Sequence, residues 1–73
     1  MDYRKHLVCN PRVLLGKPVV KGTRISAELI LKKLAEGISY DELIEASPSL
    51  TLKDITAVLA YSADVIAQEE FIA

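Results

Sequence analysis

The chain has 73 residues, a formal net charge of −1, and hydrophobic residues at 51% of its positions. A domain of this size buries only about 60% of the surface that its unfolded chain exposes. Cys9 is the only cysteine, which excludes an intrachain disulfide, and His6 and Cys9 are too few soft ligands for a zinc site. The composition therefore predicts a single domain over residues 1–73, without metal or cofactor, that gains stability from a second chain.

The N-terminal residues do not have the pattern of a secretory signal peptide. They read MDYRKHLVCNP, with charges but without the apolar run of a signal peptide. No stretch approaches the ~20 apolar residues of a membrane-spanning helix. We therefore expect a cytoplasmic protein without membrane contact, and a lone thiol is typical of a reducing compartment.

Charge is distributed unevenly along the chain. Residues 1–26 contain six Lys or Arg and one Asp, a net charge of +5 (6 − 1). Residues 27–73 contain three Lys and nine Asp or Glu, a net charge of −6 (3 − 9). The positive segment predicts contact with nucleic acid or with an acidic protein surface. The candidate contact residues are the six cations of this segment together with one Lys from the helical part. They are Arg4, Lys5, Arg12, Lys17, Lys21, Arg24 and Lys53.

Residues 1–26 are predicted to form a basic β-hairpin segment. Two short runs, Pro18–Val20 and Thr23–Ile25, flank Lys21 and Gly22 with the spacing of strands joined by a two-residue turn. Glycine permits the positive φ that such turns require. Pro18 cannot donate to a β-ladder, so we place it at a strand start or on an edge. The residues assigned to turns or local structure across the whole chain are Gly16, Pro18, Gly22, Thr23, Gly37 and Pro48.

An earlier run, residues 6–9, is also β-prone and ends at an Asn-Pro pair. We interpret His6 as a surface side chain and Cys9 as a half-buried strand residue. The tyrosines are scattered, so they predict no stacking platform for single-stranded nucleic acid.

Residues 27–73 are predicted to form a three-helix body. Ser26 caps a first helix with one apolar stripe, and Gly37 ends it. Ser39 and Glu42 form a capping box for a short second helix that ends near Pro48. Thr51 and Asp54 repeat the arrangement at the start of a third helix, which runs from about residue 52 to about residue 68.

The third helix is apolar around much of its circumference, so we expect burial on two sides. One face, with Ile55, Val58, Leu59 and Ile66, is predicted to contact the core of its own domain. The other flank and the C-terminal residues are predicted to contact a partner or a second copy. These interface residues are Ala57, Ala60, Tyr61, Val65, Phe71 and Ile72.

Three segments together resemble the domain-of-unknown-function family 433. They are GKPVVKGTRIS (16–26), AEGISYDELI (35–44) and SPSLTLKDITAVLAYSAD (47–64). Bacterial members commonly carry G-[KR]-P-x-[IV]-x-G-T-R-[IV], then L-x-x-G, then P-x-L-[ST]-x-x-[DE]-[IV]-x-x-x-L-x-Y. The matching residues are Gly16, Lys17, Pro18, Val20, Gly22, Thr23, Arg24, Ile25, Leu34, Gly37, Pro48, Leu50, Thr51, Asp54, Ile55, Leu59 and Tyr61.

The resemblance implies a helix-turn-helix, winged-helix-like fold, mainly α-helical with a small N-terminal β-hairpin. Members of the family are commonly regarded as antitoxins of type II toxin–antitoxin pairs, similar to VapB-type antitoxins, beside a PIN-like ribonuclease toxin. We therefore expect a homodimeric antitoxin that blocks such a ribonuclease and binds double-stranded operator DNA. The chain ends soon after the matched region, so neutralisation is expected from the folded domain with Phe71 and Ile72 rather than from a longer tail.

Two other functions stay open: a stand-alone DNA-binding transcriptional regulator and a dimerising protein-interaction module. A base-reading helix presents Arg, Lys, Asn or Gln from its first turns, but the third helix begins Leu52-Lys53-Asp54. DNA binding is therefore expected to use phosphates and to weaken steeply with salt. Arg24 is either such a contact or the partner of Glu28 or Asp54, and the many nearby acids favour the ion pair.

We expect no enzymatic activity and no small-molecule substrate. The acids of the second helix are explained by a solvated face and the capping box, and no histidine or metal set accompanies them. The glycine spacing around residues 16–24 also differs from that of a phosphate-binding P-loop.

Overall fold

The fold is dominated by helices, with a small sheet at the N-terminal end. The computed structural model describes residues 2–12 and 16–68. It contains a short 3₁₀ helix (Tyr3–Lys5), strands β1 (Leu7–Cys9) and β2 (Pro18–Val20), and helices α1 (Ala27–Ala35), α2 (Tyr40–Ala46) and α3 (Leu52–Gln68). The predicted mainly α-helical class with an antiparallel N-terminal hairpin is confirmed, as is the helix–turn–helix order of α2 and α3.

The helices begin at the predicted caps. Ser26 caps α1 through its side-chain oxygen. The capping box of α2 is complete, since the Glu42 N–H donates to the Ser39 hydroxyl at 3.1 Å and the Ser39 N–H donates to the Glu42 carboxylate at 3.3 Å. At α3, the Thr51 N–H donates to Asp54 at 3.0 Å and the Asp54 N–H to Thr51 at 3.2 Å. Each cap is formed by residues only a few positions apart, so a local sequence pattern is enough to predict it.

The helix ends also agree with their sequence signals. Gly37 has φ +92° and follows α1, and the Ile38 N–H reaches back 3.1 Å to the Lys33 carbonyl. This is the left-handed glycine termination that satisfies the last free carbonyls of a helix. Helix α2 ends at Ala46, two residues before Pro48.

The hairpin pairs different strands from those predicted. Strand β2 lies antiparallel to β1, with Leu7 opposite Val20 and Cys9 opposite Pro18, so Pro18 does begin a strand. The prediction that residues 18–20 pair with residues 23–25 as a second strand is wrong. The chain turns back at Gly22 as expected, but residues 23–25 form no strand: a Val20–Ile25 hydrogen bond of 2.8 Å, the turn bonds of Thr23 and one isolated bridge precede α1.

The core lies where β1, β2 and α1 pack against the first half of α3. Leu50 and Ile55, which form a hydrophobic staple around the start of α3, are among the most buried side chains of this core, at 2% and 0% exposure. The buried residues are Leu7, Val19, Val20, Ala27, Ile30, Leu50, Ile55, Ala57 and Val58.

The orientation of α3 corrects part of the sequence prediction. Ile55 and Val58 are buried as expected, but Leu59 and Ile66, which were assigned to the core, are 36% and 66% exposed. Conversely, Ala57, which was assigned to a partner, is completely buried in its own domain. A helix that is apolar all round has no single periodic stripe, so only its tertiary neighbours decide which face is buried.

Tyr61 is also turned inwards, away from the predicted partner side. It packs on the core, and its ring meets the Tyr3 ring edge-on, with centroids 5.5 Å apart at 78°. Two of the three tyrosines therefore lie together, because the 3₁₀ helix packs against α3. Of the other predicted interface residues, Ala60 is half-buried, Val65 is 40% exposed, and Phe71 and Ile72 lie outside the described residues.

The interpretation of His6 as a surface side chain is wrong, and that of Cys9 is right only in placing it in a strand. Cys9 is exposed at the end of β1. The His6 side chain is only 25% exposed and lies against Asp54, because the residue precedes β1 on the side that faces the start of α3. A sequence does not show that contact, since the two residues are 48 positions apart.

Candidate contact surface at the turn between β2 and α1

The turn between β2 and α1 is held by several hydrogen bonds and carries two exposed cationic side chains. The Thr23 hydroxyl donates to the Val20 carbonyl at 2.8 Å and accepts from the Ile25 N–H at 3.0 Å. Gly22 has φ +81°, which a residue with a Cβ adopts only with strain. Thr23 and Gly22 therefore serve the turn, as predicted, and the exposed side chains of Lys21 and Arg24 project from it.

Arg24 does not form the ion pair that the sequence favoured. Among the described residues it makes no salt bridge, and its side chain is exposed. Both predicted carboxylate partners are engaged elsewhere. Glu28 is held by Lys17 and Lys32, and Asp54 is held by His6.

Glu28 lies between two lysines in the first turn of α1. The Lys17 ammonium is 2.8 Å from one of its carboxylate oxygens, and the Lys32 ammonium is 3.2 Å from the other. The hydrogen bond from Lys17, followed by that from Lys32, lowers the pKa of the Glu28 carboxyl below its ordinary value. Each oxygen of this carboxylate is therefore paired with a lysine, while Arg24 faces solvent.

These side chains surround one shallow, positively charged concavity of about 330 Å³. Its lining has three cations and one acid, a net charge of +2 (3 − 1), so it suits a carboxylate or phosphate group. We call it the basic concavity; it is lined by Lys17, Arg24, Ser26, Glu28, Leu29 and Lys32.

The structure brings together only two of the seven predicted contact residues, Lys17 and Arg24. Lys5, Arg12 and Lys53 are exposed but line no part of the basic concavity, and Lys21 lies on the adjoining turn. Arg4 lies elsewhere, beside Asp2, with which it forms a 3.2 Å ion pair. Lys32 was missed by the sequence reasoning, although its position four residues after Glu28 is a signal for a helical ion pair.

Within residues 2–12 and 16–68, no cluster of His, Cys, Asp and Glu has the geometry to hold a metal ion. In the same part of the chain, every helix is too short or too polar to cross a membrane.

Comparison with known proteins assigns the chain to a family whose function is undescribed. Residues 7–62 match the model of the family described as "Protein of unknown function (DUF433)". The chain is 34% identical over 59 residues to the uncharacterized protein y4eO of Sinorhizobium fredii (strain NBRC 101917 / NGR234), a match that covers 81% of this chain and 27% of that protein. The chain thus spans about a quarter of the length of this curated relative.

A solved structure shares the fold. A DUF433 member protein from Anabaena variabilis ATCC 29413 superposes with a TM-score of 0.80 at 25% sequence identity. The match covers 86% of this chain and 62% of that chain.

Proposed function

The chain belongs to the DUF433 family, and from that premise we propose that it is a small antitoxin that binds and inhibits a PIN-like ribonuclease. Its motifs resemble those of this family, whose members are commonly regarded as antitoxins similar to VapB-type antitoxins, and that resemblance supports this function. In this proposal the basic concavity and the neighbouring turn contact the toxin.

The observation that carries the proposal is the exposed Arg24. An arginine that only stabilised its own fold would be expected to pair with a neighbouring carboxylate. Here the two candidate carboxylates, Glu28 and Asp54, are engaged by Lys17, Lys32 and His6, and the turn that carries Arg24 is held by the Thr23 hydrogen bonds. A cation on an ordered turn loses little backbone entropy when it binds, which favours a contact role.

The proposed partner has complementary chemistry. The active site of a PIN-like ribonuclease is acidic, so a guanidinium that enters it would form charge-assisted hydrogen bonds with carboxylates. Leu29, which is 46% exposed, adjoins Arg24 in the basic concavity and offers apolar contact beside the charge.

The experiment is purification of the tagged chain from its native cell, followed by an activity assay. We expect the product of the neighbouring gene in stoichiometric amount, and we expect its RNA cleavage to be suppressed by this chain. Arg24→Glu should weaken inhibition at least about tenfold, because it opposes like charges at the contact.

The matched control is Arg12→Glu, which reverses an exposed arginine outside the basic concavity. It should inhibit like the wild type. Full inhibition by Arg24→Glu would remove Arg24 from the contact. A partner whose ribonuclease activity is unaffected by the chain, or no partner at all, would contradict the antitoxin function.

A second candidate function, DNA binding, is favoured by the grouping of Lys17, Arg24 and Lys32 around one concavity. Such a cluster fits the phosphate backbone rather than base edges, so it predicts affinity without strong sequence preference. Fluorescence anisotropy with the chain's own upstream DNA, over a salt series, tests it. Each cation that contacts a phosphate should reduce the salt slope by about 1 when replaced by alanine, and a slope that none of the three changes would reject this role.

A further inference from the structure

The outer face of α3 carries a continuous uncharged stripe. Leu52, Leu59 and Ile66 recur at seven-residue intervals, which places them nearly in line along the helix, and they are 54%, 36% and 66% exposed. Thr56 and Ala63 lie between them and are exposed as well. We call these five residues the outer stripe.

None of the outer-stripe residues is among the buried core residues of its own domain, although Leu59 is partly covered. The buried residues of α3 are Ile55, Ala57 and Val58, which all lie in the first half of the helix. An exposed helix face in a small domain ordinarily carries charged side chains, whereas a run of apolar side chains this long marks an interaction surface.

We propose that the outer stripe binds the outer stripe of a second copy, antiparallel, around a two-fold axis near Leu59. In such a contact each residue meets its counterpart reciprocally, so Leu52 of one copy lies near Ile66 of the other. The seven-residue spacing keeps both stripes in register along their length. Thr56 and Ala63 are small enough to let the two helices approach closely.

The charges beside the stripe identify a second copy, in this orientation, as the occupant. Lys53 and Asp64 are eleven residues apart (64 − 53), close to three helical turns, so both flank the same edge of the stripe. In the antiparallel arrangement, Lys53 of each copy lies at the level of Asp64 of the other. In a parallel arrangement, this edge of the two copies would lie on opposite sides of the contact, so Lys53 and Asp64 would not meet.

The test measures the oligomeric state of the full chain by size-exclusion chromatography with light scattering over a concentration series. A reducing agent is needed, because Cys9 is exposed and would otherwise cross-link two copies. We expect twice the chain mass of 8.0 kDa for the wild type. Leu59→Glu puts two carboxylates at the axis and should raise the dissociation constant at least about tenfold.

The matched control is Leu29→Glu, which changes a similarly exposed leucine on α1 and should leave the dimer intact. If circular dichroism shows that Leu59→Glu is unfolded, Ile66→Glu replaces it, since Ile66 is the most exposed of the three large side chains of the stripe. A wild type that is monomeric throughout, or a dimer that survives the folded stripe variant, overturns the proposal.

A charge swap tests the orientation. Lys53→Asp and Asp64→Lys should each weaken the dimer, and the double variant should restore it, because the pairs are then re-formed with reversed sign. Additive weakening in the double variant would exclude the antiparallel arrangement. The dimer is expected whether or not the chain inhibits a ribonuclease, so its failure leaves the proposed function standing and the reverse is also true.

Discussion

The His6 ring lies 3.0 Å, Nδ1 to Oδ1, from the carboxylate of Asp54, and the pair joins the N-terminal segment to the first turn of α3. The two side chains are 25% and 14% exposed. The other oxygen of Asp54 accepts the Thr51 N–H at the start of α3. One carboxylate therefore both caps a helix and attaches the β1 segment to it.

Loss of the His6 ring should destabilise the fold. His6→Ala leaves a mostly buried carboxylate without one of its partners, so we expect the free energy of unfolding to fall by about 1–2 kcal/mol. Urea unfolding at neutral pH, followed by circular dichroism, measures it. His6→Gln keeps a donor at the position and should recover part of the loss. Equal losses in both variants would show that packing of the ring, rather than the contact with Asp54, supplies the stability.

Asp54 should also make the fold sensitive to acid. Burial raises the pKa of its carboxyl, but the hydrogen bonds from the Thr51 N–H, the His6 ring and the Thr51 hydroxyl together lower it below the ordinary 3.8. A carboxyl with a depressed pKa in the folded state stabilises the fold above its unfolded pKa and loses that contribution as pH falls through the folded value. Stability should therefore decline below about pH 4.

Asp54→Asn isolates this contribution. The variant should be less stable than the wild type at neutral pH, and the difference should shrink as the pH falls below about 4. Urea midpoints over that range provide the measurement, with Asp41→Asn on the exposed face of α2 as the control. A difference between Asp54→Asn and wild type that does not change with pH would contradict the assignment.

The capping box of α2 should contribute measurably to the free energy of unfolding. Ser39→Ala removes the oxygen that accepts the Glu42 N–H, and such a loss costs typically about 1 kcal/mol. Thermal and urea unfolding check it against Ser49→Ala, an exposed serine in the connection between α2 and α3. Equal effects of the two substitutions would mean that α2 is held by its tertiary contacts and not by its cap.

Gly37 should resist replacement because of its backbone and not because of crowding. A Cβ at this position would meet nothing within 4 Å, but φ is +92°. Gly37→Ala should therefore destabilise the fold by about 1 kcal/mol through strain alone, and Gly37→Asn should cost less, since asparagine tolerates left-handed conformations better. Equal unfolding midpoints for wild type and Gly37→Ala would rule out this explanation.

Local sequence patterns are sufficient to predict the helices and their limits. Ser39 with Glu42 and Gly37 after α1 act within a few residues of the backbone they satisfy, so a local pattern is enough to show them. The same holds for the turn at Gly22, and the motif order was sufficient to identify the family.

The contacts between distant residues depend instead on how the whole chain packs. Strand β2 had two neighbours available, and it pairs with β1 because the chain beyond Gly22 enters α1 before it can form a strand. The sequence allowed Arg24 to pair with Glu28 or Asp54, but these carboxylates contact Lys17, Lys32 and His6 instead, and Arg24 is exposed. The apolar circumference of α3 offered several faces for burial. In each case near-equal local alternatives compete, and only the packing of the whole chain selects among them.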